Sequence, residues 1–243
     1  MTVFSVALNT LLLYLSGRLF FYDIRVITEN TRPRWRSLLA RYLWSLVAFA
    51  LFKNLETALI VCLGHVVWVT MDTRLFFRPH SLSTYIIHNL LFLLSLIILP
   101  LSRTFLTETP NPMSAAFPGL PELWAAGLAG MVFSIKEATI WIRLILNTVK
   151  ATPPDAAHPE QQDKAEYERG RLIGVLERLL FYFMILFNQI GAIAIVVALK
   201  SLARFKALDN RAFAEYFLIG SLLSLILAAL PALGVLYIKS VLP

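Results

Sequence analysis

The chain consists largely of long apolar runs that are separated by short polar gaps. The runs cover residues 1–22, 37–52, 55–75, 82–102, 122–147, 172–189, 190–205 and 213–238. An α-helix needs about 20 apolar residues to cross the hydrocarbon core of a bilayer, so the runs at 37–52 and 190–205 are short for a full span. The pattern predicts an all-α, polytopic transmembrane bundle of seven or eight spans.

The composition is that of a membrane protein rather than of a soluble domain. Of the 243 residues, 58% are hydrophobic and 15% are charged, and the mean hydropathy is +0.70. Soluble domains carry about 25% charged residues. The one cysteine, Cys62, lies in an apolar run, so we expect a buried thiol and no disulfide within the chain.

Most of the basic residues lie in every second gap, after the first, third, fifth and seventh runs. These gaps, together with the adjoining ends of the third and seventh runs, carry Arg25, Arg32, Arg34, Arg36, Arg74, Arg78, Lys150, Lys164, Arg169, Arg171, Arg204, Lys206 and Arg211. The other gaps and the C-terminal end hold Lys53, Arg103 and Lys239. Because cytoplasmic loops are enriched in Lys and Arg, we expect both termini outside and the basic gaps in the cytoplasm. Anionic lipid headgroups then explain the net charge of +7 without nucleic acid.

The runs also divide the chain into two four-span halves, 1–105 and 122–243. Between them, 106–121 contains four prolines, and we expect an irregular external loop there. The second half contains a cytoplasmic loop at 150–170 that starts with Pro153-Pro154 and continues with mixed charges. This loop is either a docking surface for a soluble protein partner or a solvated linker.

Lys136 and Glu137 lie near the middle of the fifth run, where an ionisable group is costly. Adjacent residues point about 100° apart on an α-helix, so the two side chains cannot simply neutralise each other. The sequence leaves two interpretations open. The residues line an ion or proton path, or they form interhelical ion pairs that fix the packing.

The sixth and seventh runs are joined by a tight turn near Gln189, where Gly191 is expected to supply backbone freedom. Glu177 and Lys200 are almost equally distant from this turn, so we predict that they lie level and form an ion pair. Arg178 is then free to extend toward the membrane surface. Arg178, Ser201, Arg204 and Arg211 are candidate contacts for an anionic headgroup or ligand, and packing together with lipid contacts is the alternative.

His65, Asp72 and His88 are the residues that a metal enzyme could use. A catalytic metal needs about three convergent ligands and an open position for water. His65 and His88 are expected at different depths, which favours hydrogen-bonding roles over one shared metal. The chain has no sequence motif of a hydrolase, a phosphate-binding loop or a redox pair, and no cofactor is predicted.

Four segments of the second half carry a fairly specific order of residues. The segments 170–178, 198–201, 204–205 and 215–224 contain in turn Leu-Glu-Arg, Ala-Leu-Lys-Ser, Arg-Phe and Glu-Tyr. Because of these segments and their order, the region 165–225 resembles an uncharacterised family of multi-span inner-membrane proteins from bacteria and phages. The resemblance implies a bacterial inner-membrane location.

The N-terminal spans of that family look rich in His and Asp residues spaced four apart, as in membrane-bound metal-dependent hydrolases. The present chain departs from this pattern. Asp72 follows His65 by seven positions, and Phe92 stands where the family has a histidine.

Two functions are consistent with these features. The first is a non-enzymatic, oligomeric membrane protein that conducts or gates ions, or that forms the membrane arm of a larger system, for example an anti-phage system. The small residues at 125–130 allow the close helix contact that a homo-oligomer needs. The second is a membrane-embedded metal-dependent hydrolase or lipid-modifying enzyme that uses His65, Asp72 and His88.

The predicted topology is testable by cysteine labelling of whole cells. We expect Arg32→Cys, Arg78→Cys, Asp163→Cys and Lys206→Cys to be protected from an impermeant thiol reagent, because all four positions lie in basic, cytoplasmic gaps. Labelling of the Asp163→Cys variant in intact cells would refute the orientation.

Overall fold

The computed structural model describes residues 3–21, 35–52, 55–75, 82–102, 121–151 and 164–241. All regular secondary structure in these ranges is helical, which confirms the predicted all-α class. By length and composition, one helix in the described ranges, Arg211–Val241, qualifies as a membrane span, and several others are shorter and apolar.

The helices follow the apolar runs closely. Their bounds are α1 Val3–Phe21, α2 Trp35–Trp44, α3 Ala48–Leu51, α4 Leu55–Leu75, α5 Leu82–Ser102, α6 Glu122–Val132, α7 Ala138–Thr148, α8 Lys164–Leu186, α9 Ile190–Ala203 and α10 Arg211–Val241. Short 3-10 segments cover Ser45–Val47 and Phe205–Asp209, and a π-helical segment covers Phe133–Glu137. The second run is therefore not one regular helix, because its backbone changes to 3-10 form at Ser45.

The chain divides into two compact units, Met1–Val132 and Phe133–Pro243. The sequence placed the division in the proline-containing segment 106–121, of which only Pro121 is described. The division between the units falls instead where α6 meets the π-helical segment.

In the first unit, α1 packs against α2, α5 and α6. The face of α6 that contacts the interior is made of the small residues Ala125, Ala126, Ala129 and Gly130, all of which are buried. Small side chains let two helix backbones approach closely. This face of α6 is therefore buried within the first unit, where α6 packs against α1, and is not exposed to a second copy of the chain.

A hydrophobic cluster fills the first unit where α1, α3 and α4 meet. Its buried members are Val6, Leu13, Ala48, Phe52, Ala58, Val61 and Cys62. The Cys62 thiol is free and buried, as the sequence predicted. Phe92 stacks on Tyr14 with 3.9 Å between the ring centroids.

In the second unit, α10 packs against α8, α7 and the π-helical segment, and α9 packs against α8. One face of α10 is buried at the helical spacing of Phe217, Ser224, Ala228, Ala232 and Val235. The small residues in this stripe allow α10 to lie close to its neighbours. The π-helical segment contacts both α8 and α10, so its side chains lie among three helices.

The turn between α8 and α9 corrects one prediction. Asn188, and not Gly191, adopts the left-handed conformation, with a φ of 57°. The Asn188 amide donates to the carbonyl of Ile185 and the Gln189 amide donates to that of Met184, at 3.0 and 2.7 Å. This is the hydrogen-bond pattern of a Schellman cap, and asparagine tolerates the left-handed region better than most residues. Gly191 lies inside α9.

Gly17 in α1 offers a direct test of packing in the first unit. A Cβ at this position would lie 3.0 Å from Cδ1 of Trp44 and 3.4 Å from Nε2 of His65. The Trp44 ring is held in place, because its Nε1 donates to Ser16 Oγ at 3.1 Å. We expect Gly17→Ala to lower the free energy of unfolding by about 1–3 kcal/mol, as overpacking does.

The midpoint of thermal unfolding of the purified protein measures this effect. Gly127→Ala is the matched control, because a Cβ there meets no atom within 4 Å. Equal midpoints for the two variants would contradict the tight contact at Gly17.

Candidate functional site

The π-helical segment Phe133–Glu137 contains both ionisable residues that the sequence placed at mid-span. A π turn makes i→i+5 hydrogen bonds, so it widens the helix and changes which carbonyls receive an intrahelical donor; such turns are frequent at functional sites. Glu137 is 2% exposed and Lys136 is half-buried. The sequence analysis assumed a regular α-helix here, and the structure corrects that assumption.

Arg178 on α8 lies against this segment. Its Nε donates to the carbonyl of Ser134 at 2.8 Å, and its Nη2 donates to Oγ1 of Thr139. The side chain is 4% exposed. The prediction that Arg178 extends outward to the membrane surface is therefore wrong. The guanidinium turns inward because the π-helical segment and α7 offer two oxygen acceptors at the spacing of its planar fork.

Glu177 and Lys200 form the ion pair that the sequence predicted. Nζ of Lys200 lies 2.5 Å from Oε2 of Glu177, and this contact links α8 to α9. Glu177 is buried, whereas Lys200 is partly exposed. The Lys200 ammonium also lies 5.2 Å from the centroid of the Phe217 ring on α10, within the range of a cation–π contact.

Two sets of contacts link the helices inside the second unit. Arg178 joins α8 to the π-helical segment and α7 through Ser134 and Thr139, and the Glu177–Lys200 pair joins α8 to α9. Lys136 and Glu137 lie in the same π-helical segment as Ser134. We call these residues together the charged layer: Ser134, Lys136, Glu137, Thr139, Glu177, Arg178 and Lys200. The four predicted conduction candidates thus lie on the π-helical segment, α8 and α9.

The other predicted anion contacts lie apart from the charged layer. Ser201 donates its hydroxyl to the Val197 carbonyl at 3.0 Å, and the Arg204 guanidinium lies 5.8 Å from the Phe213 ring centroid. Arg211 pairs with Glu215 at 3.0 Å, and its side chain is 93% exposed. The two arginines are accessible on this surface, so their contact with anionic headgroups stays a prediction.

The histidine residues do not form a metal site in the described part of the chain. His65 is buried, and its Nδ1 is 2.7 Å from Oγ of Ser45. Among the described residues no group of three or more His, Cys, Asp or Glu side chains gathers around one point. Asp72 and His88 lie on α4 and α5, but their side chains fall outside the described positions.

Sequence reasoning missed several buried polar residues in the first unit. Arg18 and Arg41 lie near the ends of apolar runs in the sequence, yet they are 1% and 2% exposed. Arg18 Nη1 donates to the Tyr14 hydroxyl at 2.9 Å, and its guanidinium lies over the Tyr14 and Tyr85 rings. The available signal was the presence of tyrosines within apolar runs near each arginine. Ser134 and Thr139 of the second unit were also missed, because a single hydroxyl side chain in an apolar run does not by itself indicate a functional site.

Comparison of the chain with protein-family models, with curated proteins and with solved structures finds no match. The family resemblance of residues 165–225 therefore stays a prediction, and the function is argued from the contacts described above.

The Glu177–Lys200 pair can be tested by a double-mutant comparison. Glu177→Ala leaves the Lys200 ammonium next to apolar side chains, and we expect a loss of about 1–3 kcal/mol in the free energy of unfolding. Adding Lys200→Met should restore part of this loss, because it removes the remaining charge.

Glu215→Ala serves as the control for removing a paired carboxylate at an exposed position, where a change below about 1 kcal/mol is expected. A double variant that is no more stable than Glu177→Ala alone would show that the two residues are not energetically coupled.

Proposed function

We propose that this chain is a polytopic integral membrane protein of the bacterial inner membrane. The first support is α10, of which only 22% of the most apolar window is buried. A core helix of a soluble protein would be mostly buried. The outward face of α10 instead carries large apolar side chains at helical spacing: Leu218, Leu222, Ile226, Leu230, Leu233 and Tyr237. Lipid is the solvent that suits such a face.

Other helices in both units have the same kind of exterior. Exposed apolar residues follow one another by three or four positions on α4 at Leu59, Leu63 and Val67, and on α8 at Leu172, Leu176, Leu180 and Phe183. In water these faces would leave a large apolar area unburied, which soluble monomers rarely do. A bilayer removes this cost for every such helix at once.

The mainly apolar interior also contains buried ionisable residues. They occur in both units, namely Arg18, Arg41, His65, Glu137, Glu177 and Arg178. In membrane proteins, ionisable residues face the interior of the bundle and mark ion paths, proton relays or ligand sites. Buried ionisable residues together with apolar outer faces support both membrane insertion and an intramembrane function.

Ion conduction or gating is the function that the charged layer supports best. The single observation that carries this proposal is the presence of five ionisable residues in the charged layer, on the π-helical segment, α8 and α9, in a unit whose exposed side chains are largely apolar. Placing an ionisable group in a dry interior costs several kcal/mol, by a rough estimate, and partners offset part of this cost. A polar path would use these groups, either in an oligomer or as the membrane arm of a larger assembly.

The functional test is substitution in the π-helical segment at nearly constant size. We expect Lys136→Met and Glu137→Gln to leave expression and assembly largely intact and to abolish ion flux into liposomes that contain the purified protein. The physical reason is that these changes remove charge from the path without creating a large cavity.

Lys239→Met is the matched control, because it removes an exposed charge outside the layer by the same substitution as Lys136→Met. If both layer variants assemble and conduct like the parent, the path does not involve these residues. If both fail to fold while Lys239→Met folds, the layer is a structural element.

A further inference from the structure

Arg178 holds a positive charge that no carboxylate neutralises directly. Its hydrogen-bond partners are two uncharged oxygens, the carbonyl of Ser134 and the hydroxyl of Thr139. In the part of the chain that the structure describes, no carboxylate lies within ion-pair distance of its guanidinium. Glu177 is the next residue in the chain, but its carboxylate is bonded to Lys200. Arginine stays protonated in proteins, so the buried charge persists.

One nitrogen of this guanidinium is available for a further partner. Nε and Nη2 are used, whereas Nη1 makes no hydrogen bond to a described group. Nη1 lies beside Gly174, one turn earlier on α8, where a Cβ would be 3.5 Å away. Because residue 174 has no side chain, a small acceptor can approach Nη1 from this side. Any larger residue at this position would occupy that space.

More cations than carboxylates act on or next to Arg178. Arg143 and the carboxylate of Glu177 both interact electrostatically with its guanidinium, and Glu177 is in turn paired with Lys200. This set therefore contains three cations, Arg143, Arg178 and Lys200, and one carboxylate. An anion bound to a guanidinium gains a charge-assisted hydrogen bond.

We propose that the Nη1 side of Arg178, next to Gly174, is an anion-binding site, and that the ion conducted by the charged layer is an anion. The second part rests on the proposed function, whereas the binding site does not require conduction. The ligand is a small anion that accepts hydrogen bonds, either a dissolved inorganic ion or the phosphate of an anionic lipid. Both sources share the chemistry that a guanidinium recognises.

The binding experiment measures the thermal unfolding midpoint of the purified full-length protein as chloride or phosphatidylglycerol is added. We expect the midpoint to rise with at least one of them. Gly174→Val should raise the anion concentration at half-saturation by about tenfold, because the valine side chain blocks the approach to Nη1. Gly170→Val is the matched control on the same helix, since a Cβ there meets no atom within 4 Å.

Arg178→Lys and Arg178→Gln separate the roles of charge and shape. Lysine keeps the charge and should retain part of the stabilisation, whereas glutamine should abolish it. A rise with chloride in phosphatidylcholine liposomes identifies a dissolved ion, and a rise with phosphatidylglycerol alone identifies a lipid phosphate. If neither anion stabilises the parent protein, or if the Gly174→Val and Gly170→Val variants respond alike, the site does not exist.

The flux experiment uses liposomes of phosphatidylcholine with the protein reconstituted, and it compares chloride, potassium and proton movement. Chloride flux that is lost in Gly174→Val and kept in Gly170→Val supports anion conduction. Flux of potassium or protons without chloride overturns the anion assignment and leaves ion conduction standing. If no ion moves, the proposed function fails, and the binding experiment alone decides whether Arg178 holds an anion.

Discussion

The hydrogen bonds from Arg178 to the Ser134 carbonyl and the Thr139 hydroxyl hold the second unit together around a buried charge. A guanidinium inside a helical bundle needs acceptors, and the π-helical segment presents one from the backbone. The same bonds tie α8 to this segment, and the Glu177–Lys200 pair ties α8 to α9. Without them, the charges would have to move outward or the helices would have to separate.

The outward faces of α4, α8 and α10 contrast with this buried charge. Exposed apolar side chains follow one another there at intervals of three or four residues, while His65 on α4 and Glu177 and Arg178 on α8 are buried. The chain therefore combines a high mean hydropathy with buried ionisable residues, because its exposed helix faces are largely apolar.

The helices and one contact were predictable because they depend on local information. Hydrophobic runs mark where α4 and α5 begin and end, and the bounds from the sequence and from the structure agree at all four termini. The Glu177–Lys200 pair was predictable because a tight turn fixes the register of its two helices. The turn residue was predicted wrongly, since glycine at 191 was favoured over the asparagine that caps α8.

The sequence by itself determined the helical class, the bounds of α4 and α5 and the level of the α8–α9 ion pair, because periodicity and a short connection act within one or two elements. Only the tertiary structure decided the inward turn of Arg178, the π-helical form of Phe133–Glu137 and the contact of His65 with Ser45. Each of these depends on partners supplied by a distant part of the chain. A side chain buried in a bundle points toward the nearest acceptor, and that acceptor exists only after the helices have packed.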